Sequence, residues 1–163
     1  PPWVSSQLIT RHVADSVNIL INNPDFPRDL IEIISQHHGT NIVKYFYNKA
    51  CDILGEINKK GLDIDLYRYK CTKPTTLETA VLMICDHIEA KSRSLFQAGK
   101  FDPVEVIETT ISGLIDDGQL DEVVMRLGDL KKIKEALARE LEGTYQKRVD
   151  YDEAKKEKEE DEE

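Results

Sequence analysis

The stretch Ile33-Ile34-Ser35-Gln36-His37-His38-Gly39-Thr40 sets two adjacent histidines at the end of an apolar helical segment, with a glycine stop directly behind them. Neighbouring residues on a helix of ~3.6 residues per turn diverge by only about a quarter-turn, so both imidazoles can face one concave site. Neutral imidazole is the commonest metal-ligating side chain. The same pair also suits a solvated helix end, where a protonated histidine complements the helix dipole. Spacing alone leaves both readings open, and the surrounding chain has to separate them.

Upstream, residues 3–22 carry Val4, Leu8, Ile9, Val13, Val17, Leu20 and Ile21 near helical spacing, which predicts a first helix. His12 borders this apolar stripe, and Asp15, three residues on, shares its face. Asn22-Asn23-Pro24 breaks the helix. Asp25-Phe26-Pro27 opens a second, with Leu30, Ile31, Ile33 and Ile34 as its buried side and Gly39 as its stop. A third is expected over 41–59, closed by Gly61, with Ile42, Val43, Phe46, Ala50, Ile53, Leu54 and Ile57 inward.

Residues 62–74 form the longest irregular stretch and hold Tyr67-Arg68-Tyr69-Lys70 and Lys73-Pro74. A cationic, aromatic loop in an acidic chain suits contact with an anion or a base. The plainer alternative is that the tyrosines pack and Arg68 is a solvated charge. Thr75-Thr76-Leu77-Glu78 reads as a capping box leading into Ala80-Val81-Leu82-Met83-Ile84-Cys85-Asp86, a helix apolar nearly all round and so expected to be central. A carboxylate ending such a run must be paired or metal-bound, because an isolated buried charge costs several kcal/mol. Arg93 is the candidate partner for Asp86, and a metal ion is the other solution.

Asp102-Pro103-Val104-Glu105 is a further helix start, with Asp102 as N-cap and Pro103 in the first turn. Asp117-Gly118 ends that helix, and a last one runs from about Asp129 with Leu130, Ile133, Leu137 and Leu141 inward. No stretch has a convincing strand pattern, so the fold class is all-α. From Lys155 the chain is wholly charged and is expected to be a solvated tail.

The 163 residues suffice for one domain with a real core. A net charge of −9, much of it in 150–163, excludes unaided grip on a DNA or RNA duplex or an anionic membrane. An acidic body still binds an anion where metals supply the positive charge. Cys51, Cys71 and Cys85 make neither a disulfide framework nor a CxxC site, a pattern suited to a reducing compartment. No run approaches the ~20 apolar residues of a membrane span, and no signal peptide is visible. The chain begins at Pro1-Pro2-Trp3 and reads as a piece of something longer.

His12, His37, His38 and Asp86 come from three helices, which is how metal sites are built in helical bundles. Nitrogen and carboxylate donors suit iron, manganese or zinc rather than calcium or magnesium. A two-metal centre is the common solution for phosphoester hydrolysis, since it activates a water and clamps the attacking and leaving oxygens. Three histidines and one carboxylate are too few for two ions that each take roughly four to six ligands.

These residues carry a family resemblance. His12-Val13-x-Asp15-x-Val17, Gln36-His37-His38-Gly39-Thr40, Lys44-Tyr45-Phe46-Tyr47-x-Lys49-Ala50, Tyr67-Arg68-Tyr69, Lys73-Pro74, Asp86-x-x-Glu89-Ala90 with Arg93-Ser94, and Asp117-Gly118-Gln119 together resemble the C-terminal part of an HD-superfamily hydrolase domain. More narrowly, the chain is similar to the intracellular HD domain of bacterial seven-transmembrane HD receptors, which are cyclic di-AMP phosphodiesterases. The resemblance covers residues 1–151, a partial HD-type domain in an HD-like helical bundle, followed by an acidic tail over 152–163.

The resemblance implies hydrolysis of a cyclic dinucleotide, cyclic di-AMP, to its linear 5′-phosphorylated form at a two-metal centre of iron or manganese, of which this chain holds at most one ion. It implies His12, His37 and His38 as ligands of the second metal, Asp86 as the last ligand of the first, and Asp15 as a carboxylate orienting His12. Charge and position add Arg68, Lys73 and Arg93 as contacts to phosphate oxygens. It also implies a membrane-anchored bacterial parent with this domain on the cytoplasmic face, making no membrane contact of its own, and a homo-oligomer. The chain departs from the family in lacking any His-Asp dipeptide, in having His87 where relatives tend to have a small residue, and in reading Tyr69-Lys70-Cys71-Thr72-Lys73-Pro74 where they tend to have a Pro-Gly turn. Isolated, it is expected to be inactive. The alternatives are a non-catalytic nucleotide-sensing or interaction module derived from an HD domain, and a helical scaffold with incidental histidines.

Overall fold

The computed structural model describes residues 1–58 and 61–160, with side chains over 1–55 and 61–145. Among the described residues the named elements follow in order: α1 Pro2–Ile21, α2 Arg28–Gln36, α3 Lys44–Asn58, a 3₁₀ turn Ile64–Tyr67, α4 Leu77–Gln97, α5 Pro103–Asp116 and α6 Leu127–Glu160. Among the described residues there is no strand, as the all-α reading requires; a single antiparallel bridge joins Ile42 to Arg68. No helix of the described residues is long and apolar enough to cross a membrane.

The chain divides into two compact units, residues 1–83 with 114–124, and residues 84–113 with 125–163. In the first, α1 lies against α2, α3 and the 3₁₀ turn. Val13, Ala50, Tyr67, Ala80, Met83 and Leu114 are among its buried apolar side chains, and Gln36, Asn41, Thr79 and Gln119 are buried polar ones. The α1 stripe is only partly inward. Val13 is 3% exposed, whereas Leu8 is 68% and Ile9 42% exposed, so the helix buries a narrower face than its apolar residues predict.

Three expected boundaries move for local reasons. The second helix stops at Gln36, and His37 to Thr40 form turns instead, with the Gly39 N–H donating to the Gln36 carbonyl at 2.8 Å. The third starts at Lys44 because residues 41–43 are extended: Tyr69 N–H donates to Asn41 O (2.9 Å) and Val43 N–H to Tyr67 O (2.8 Å). It is broken at Gly55, whose φ of 70° is left-handed. The α4 cap falls one residue later than the capping-box reading: Thr76 Oγ1 accepts from Thr79 N–H at 3.3 Å, and Glu78 is exposed.

In the second unit Ile84, Ile88, Val106, Ile107 and Ile111 are essentially buried. Phe96, Phe101 and Tyr145 form an aromatic cluster with centroids 4.2–6.2 Å apart. Lys91 Nζ donates to Thr109 Oγ1 at 2.6 Å, tying α4 to α5, and Lys134 Nζ donates to the Glu108 carboxylate at 2.5 Å, tying α6 to α5. The helix expected to be apolar all round is buried on one stripe, with Leu82 40% exposed. The boundary expected after residue 151 falls within α6, and residues 161–163 of the charged tail lie outside the described residues.

The start of α5 follows the sequence reading: Asp102 Oδ1 accepts from Glu105 N–H at 2.9 Å, with Pro103 as the first helical residue. Asp102→Ala should therefore lower stability by about 1 kcal/mol, the usual cost of an N-cap, measured by urea denaturation.

Candidate metal centre

The first unit brings together three of the four side chains read as metal ligands. One ring nitrogen from each of His12, His37 and His38 lies within 4.8 Å of the other two. His12 projects from α1, while the other two occupy the turns behind α2. Ring centroids are 4.0 Å apart for His37–His38, 4.9 Å for His12–His38 and 5.8 Å for His12–His37. Tyr69 stacks on His38, with centroids 4.2 Å apart and planes 21° from parallel.

Backbone carbonyls orient two of the rings. His12 Nδ1 donates to Ile9 O and His37 Nδ1 donates to Ile34 O, each at 2.6 Å. A carbonyl accepts and never donates, so each Nδ1 carries a proton, and in the neutral ring Nε2 then holds the lone pair. That is the arrangement a ligating histidine requires, with the second nitrogen fixed by an acceptor. Asp15, read as the partner of His12, instead accepts from Arg11 Nε at 3.2 Å on exposed surface.

The turn itself is held by two buried glutamines. Gln119 Oε1 accepts from Thr40 N–H at 3.0 Å, and Gln119 Nε2 donates to Thr40 Oγ1 at 3.0 Å. Gln36 Oε1 accepts from Thr75 N–H at 3.1 Å and from Thr75 Oγ1 at 3.3 Å. Between them sits Gly39, φ 52°, where a Cβ would lie 2.5 Å from Gln119 Oε1 and 2.9 Å from Met83 Cε. Gln119 is placed by the end of α5: Gly118 N–H donates to Ile115 O (2.8 Å) and Gln119 N–H to Leu114 O (2.9 Å). This is the paired bond pattern of a Schellman stop, with Gly118 at the left-handed position (φ 63°).

The remaining candidates have other partners. Arg68 Nη1 donates to Thr40 O at 2.6 Å and Arg68 Nε to Asp65 Oδ1 at 3.1 Å, so this cation braces the loop behind the histidines. Lys73 Nζ lies 3.9 Å from Asp121 Oδ2. In the second unit, Asp86 is half-buried on α4, next to Cys85, whose thiol is raised by burial and by the Asp86 charge. The Asp86–Arg93 pair considered from sequence does not form; Arg93 Nε donates to Glu89 Oε1 at 3.1 Å.

Comparison with known proteins gives this arrangement its context. No family model matches the sequence. Cyclic-di-AMP phosphodiesterase PgpH of Bacillus subtilis is 32% identical over 155 residues, 95% of this chain and 21% of the relative. PgpH of Listeria monocytogenes is 36% identical over 150 residues, 92% of this chain and 20% of the relative. The crystal structure of the L. monocytogenes PgpH HD domain in complex with cyclic-di-AMP matches with a TM-score of 0.76 at 33% identity, over 89% of this chain and 65% of that one.

The chain is an HD-type domain. It spans about a fifth of the length of the curated relatives it matches. In this HD-type domain the donor set fits a divalent transition metal: three imidazoles converge, and two of them are locked in the ligating tautomer.

Sequence reading did not assign roles to Tyr69, Gln36 or Gln119, although each stands in a motif singled out above. Gln119 leaves a local signal, because an amide directly after the helix-ending Gly118 is placed by the stop itself. Gln119→Leu leaves the Thr40 N–H without its acceptor and should destabilise the protein by about 1–3 kcal/mol in urea denaturation.

Proposed function

We propose that this chain is the greater part of a metal-dependent phosphodiesterase domain that opens a cyclic dinucleotide, cyclic di-AMP, to the linear 5′-phosphorylated dinucleotide. The observation that carries the reading is the convergence of His12, His37 and His38 in a fold shared with a PgpH HD domain crystallised with cyclic-di-AMP. His12 and His37 would hold one ion through Nε2, with the third bond from His38; Asp86 would supply a carboxylate to a second ion. Iron or manganese is the metal this reading favours, with two ions in a complete domain and one at most on this chain. Bound ions of this kind activate water and neutralise charge on phosphodiester oxygens.

The chain's own residues do the positioning. Ile9 O and Ile34 O hold the histidine protons at Nδ1, and Tyr69 fixes the plane of His38. Lys73 and Arg93 are assigned to substrate phosphates. Arg68 shares that assignment through whatever donors its bonds to Thr40 and Asp65 leave over. In the same reading Asp15 belongs to the outer surroundings of His12, the working domain is 1–151 with a solvated tail over 152–163, and the parent is a membrane-anchored homo-oligomer with this domain on the cytoplasmic face. The second reading, a nucleotide-sensing module without turnover, is favoured by one observation, the lack of a His-Asp dipeptide in the 163 residues.

Metal content and cyclic di-AMP hydrolysis, measured on this chain and on one extended upstream by roughly a hundred residues, a typical domain scale, separate the readings. The enzyme reading expects at most one metal and no turnover here, with two metals and turnover in the longer chain. Metal bound by the longer chain without turnover would favour the sensing module. His37→Ala should abolish metal binding by this chain, and unchanged metal content would overturn the ligand assignment.

A further inference from the structure

The cationic loop singled out from sequence turns its two kinds of side chain to opposite sides. Tyr67 and Tyr69 are 1% and 8% exposed and point inward, Tyr69 onto His38. Arg68 and Lys70 point the other way, into a cleft of about 290 Å³ closed on its far wall by Thr10 and Arg11 of α1. Extended backbone alternates its side chains in this way. The cleft and the histidine cluster therefore back onto the same two segments, through the neighbouring pairs Arg11–His12 and Arg68–Tyr69.

Three cations and one carboxylate, Asp65, line this cleft, in a chain whose net charge is −9. Arg68 is fixed in place by Thr40 O and Asp65. Among the described residues Arg11 is held only by Asp15, in a pair whose side chains are 71% and 51% exposed. Exposed pairs of this kind are weak, and an incoming phosphate that takes the guanidinium in a two-point contact displaces them. Lys70 is exposed and has no ion-pair partner among the described residues. Burial raises the Cys71 thiol at the cleft, so it stays neutral and adds no opposing charge.

We propose that this cleft binds a phosphate monoester of mononucleotide size, with Arg11 and Lys70 gripping the phosphate. A phosphate monoester carries between one and two negative charges at neutral pH and matches the cationic excess better than a carboxylate does. The volume approaches that of small-molecule pockets, ~300 Å³ and above, and exceeds what a bare phosphate fills. The inference concerns the cleft alone and does not depend on a metal at the histidines.

The test is an amide NMR titration of this chain, with metal removed by chelation, against adenosine monophosphate, inorganic phosphate and adenosine. Adenosine monophosphate should give saturable shifts centred on residues 10–11 and 66–71, weakening with added salt, and inorganic phosphate should shift the same amides. Adenosine should give none. The double substitution Arg11→Ala with Lys70→Ala, both on exposed surface, should weaken binding by roughly tenfold or more, the scale of a lost charge-assisted contact. His37→Ala should leave it unchanged, so a wrong metal assignment and a wrong cleft assignment give different results. Absence of saturation, equal binding of adenosine, or affinity that survives the double substitution would each overturn the proposal.

Discussion

The arrangement of the first unit depends on a close approach that a side chain at position 39 would forbid. Gly39 packs under Gln119 and Met83, with no room for a Cβ, and its left-handed φ is one that L side chains rarely adopt. That approach lets the Gln119 amide reach Thr40, while Gln36 on the other flank reaches Thr75. The two histidines stand between these anchors. Their turn is set by part-buried hydrogen bonds from the two glutamines, which are costly to leave unmade and so resist displacement.

Two of the three imidazoles are oriented by backbone carbonyls rather than by a carboxylate. Each of His12 and His37 spends one nitrogen on a carbonyl three residues earlier in its own chain segment. Ring orientation is thereby written into the local backbone, and Asp15 pairs with Arg11 on the surface. Tyr69 supplies the remaining constraint by lying flat on His38, held there by the extended pairing of residues 41–43 with 67–69.

Much of this was legible in the chain. Helical periodicity gave six helices, and Asp102-Pro103 marked the start of α5 to the residue. The adjacent histidines and His12 were found because metal chemistry needs those residue types on converging elements. What periodicity could not show was where a helix yields to competing backbone pairing. Residues 41–43 read as helix but pair with a segment more than twenty residues away, and such pairing leaves no local trace. The Asp86–Arg93 pair offered by helical spacing gives way for a related reason: Arg93 takes Glu89, one turn earlier on the same helix. The exposed flank of α1 shows that apolar spacing gives an upper bound on the buried face.

The hydrogen bond between Gln119 and Thr40 joins residues 79 apart in sequence. Loop closure over such a span has an entropic cost that grows slowly with length, and contacts of this range form late when a domain folds. The histidine turn therefore depends for its final shape on a contact of long sequence range. During synthesis, His37 and His38 emerge well before the glutamine that fixes their turn. A nascent chain in this interval presents both imidazoles without the frame that fixes their turn.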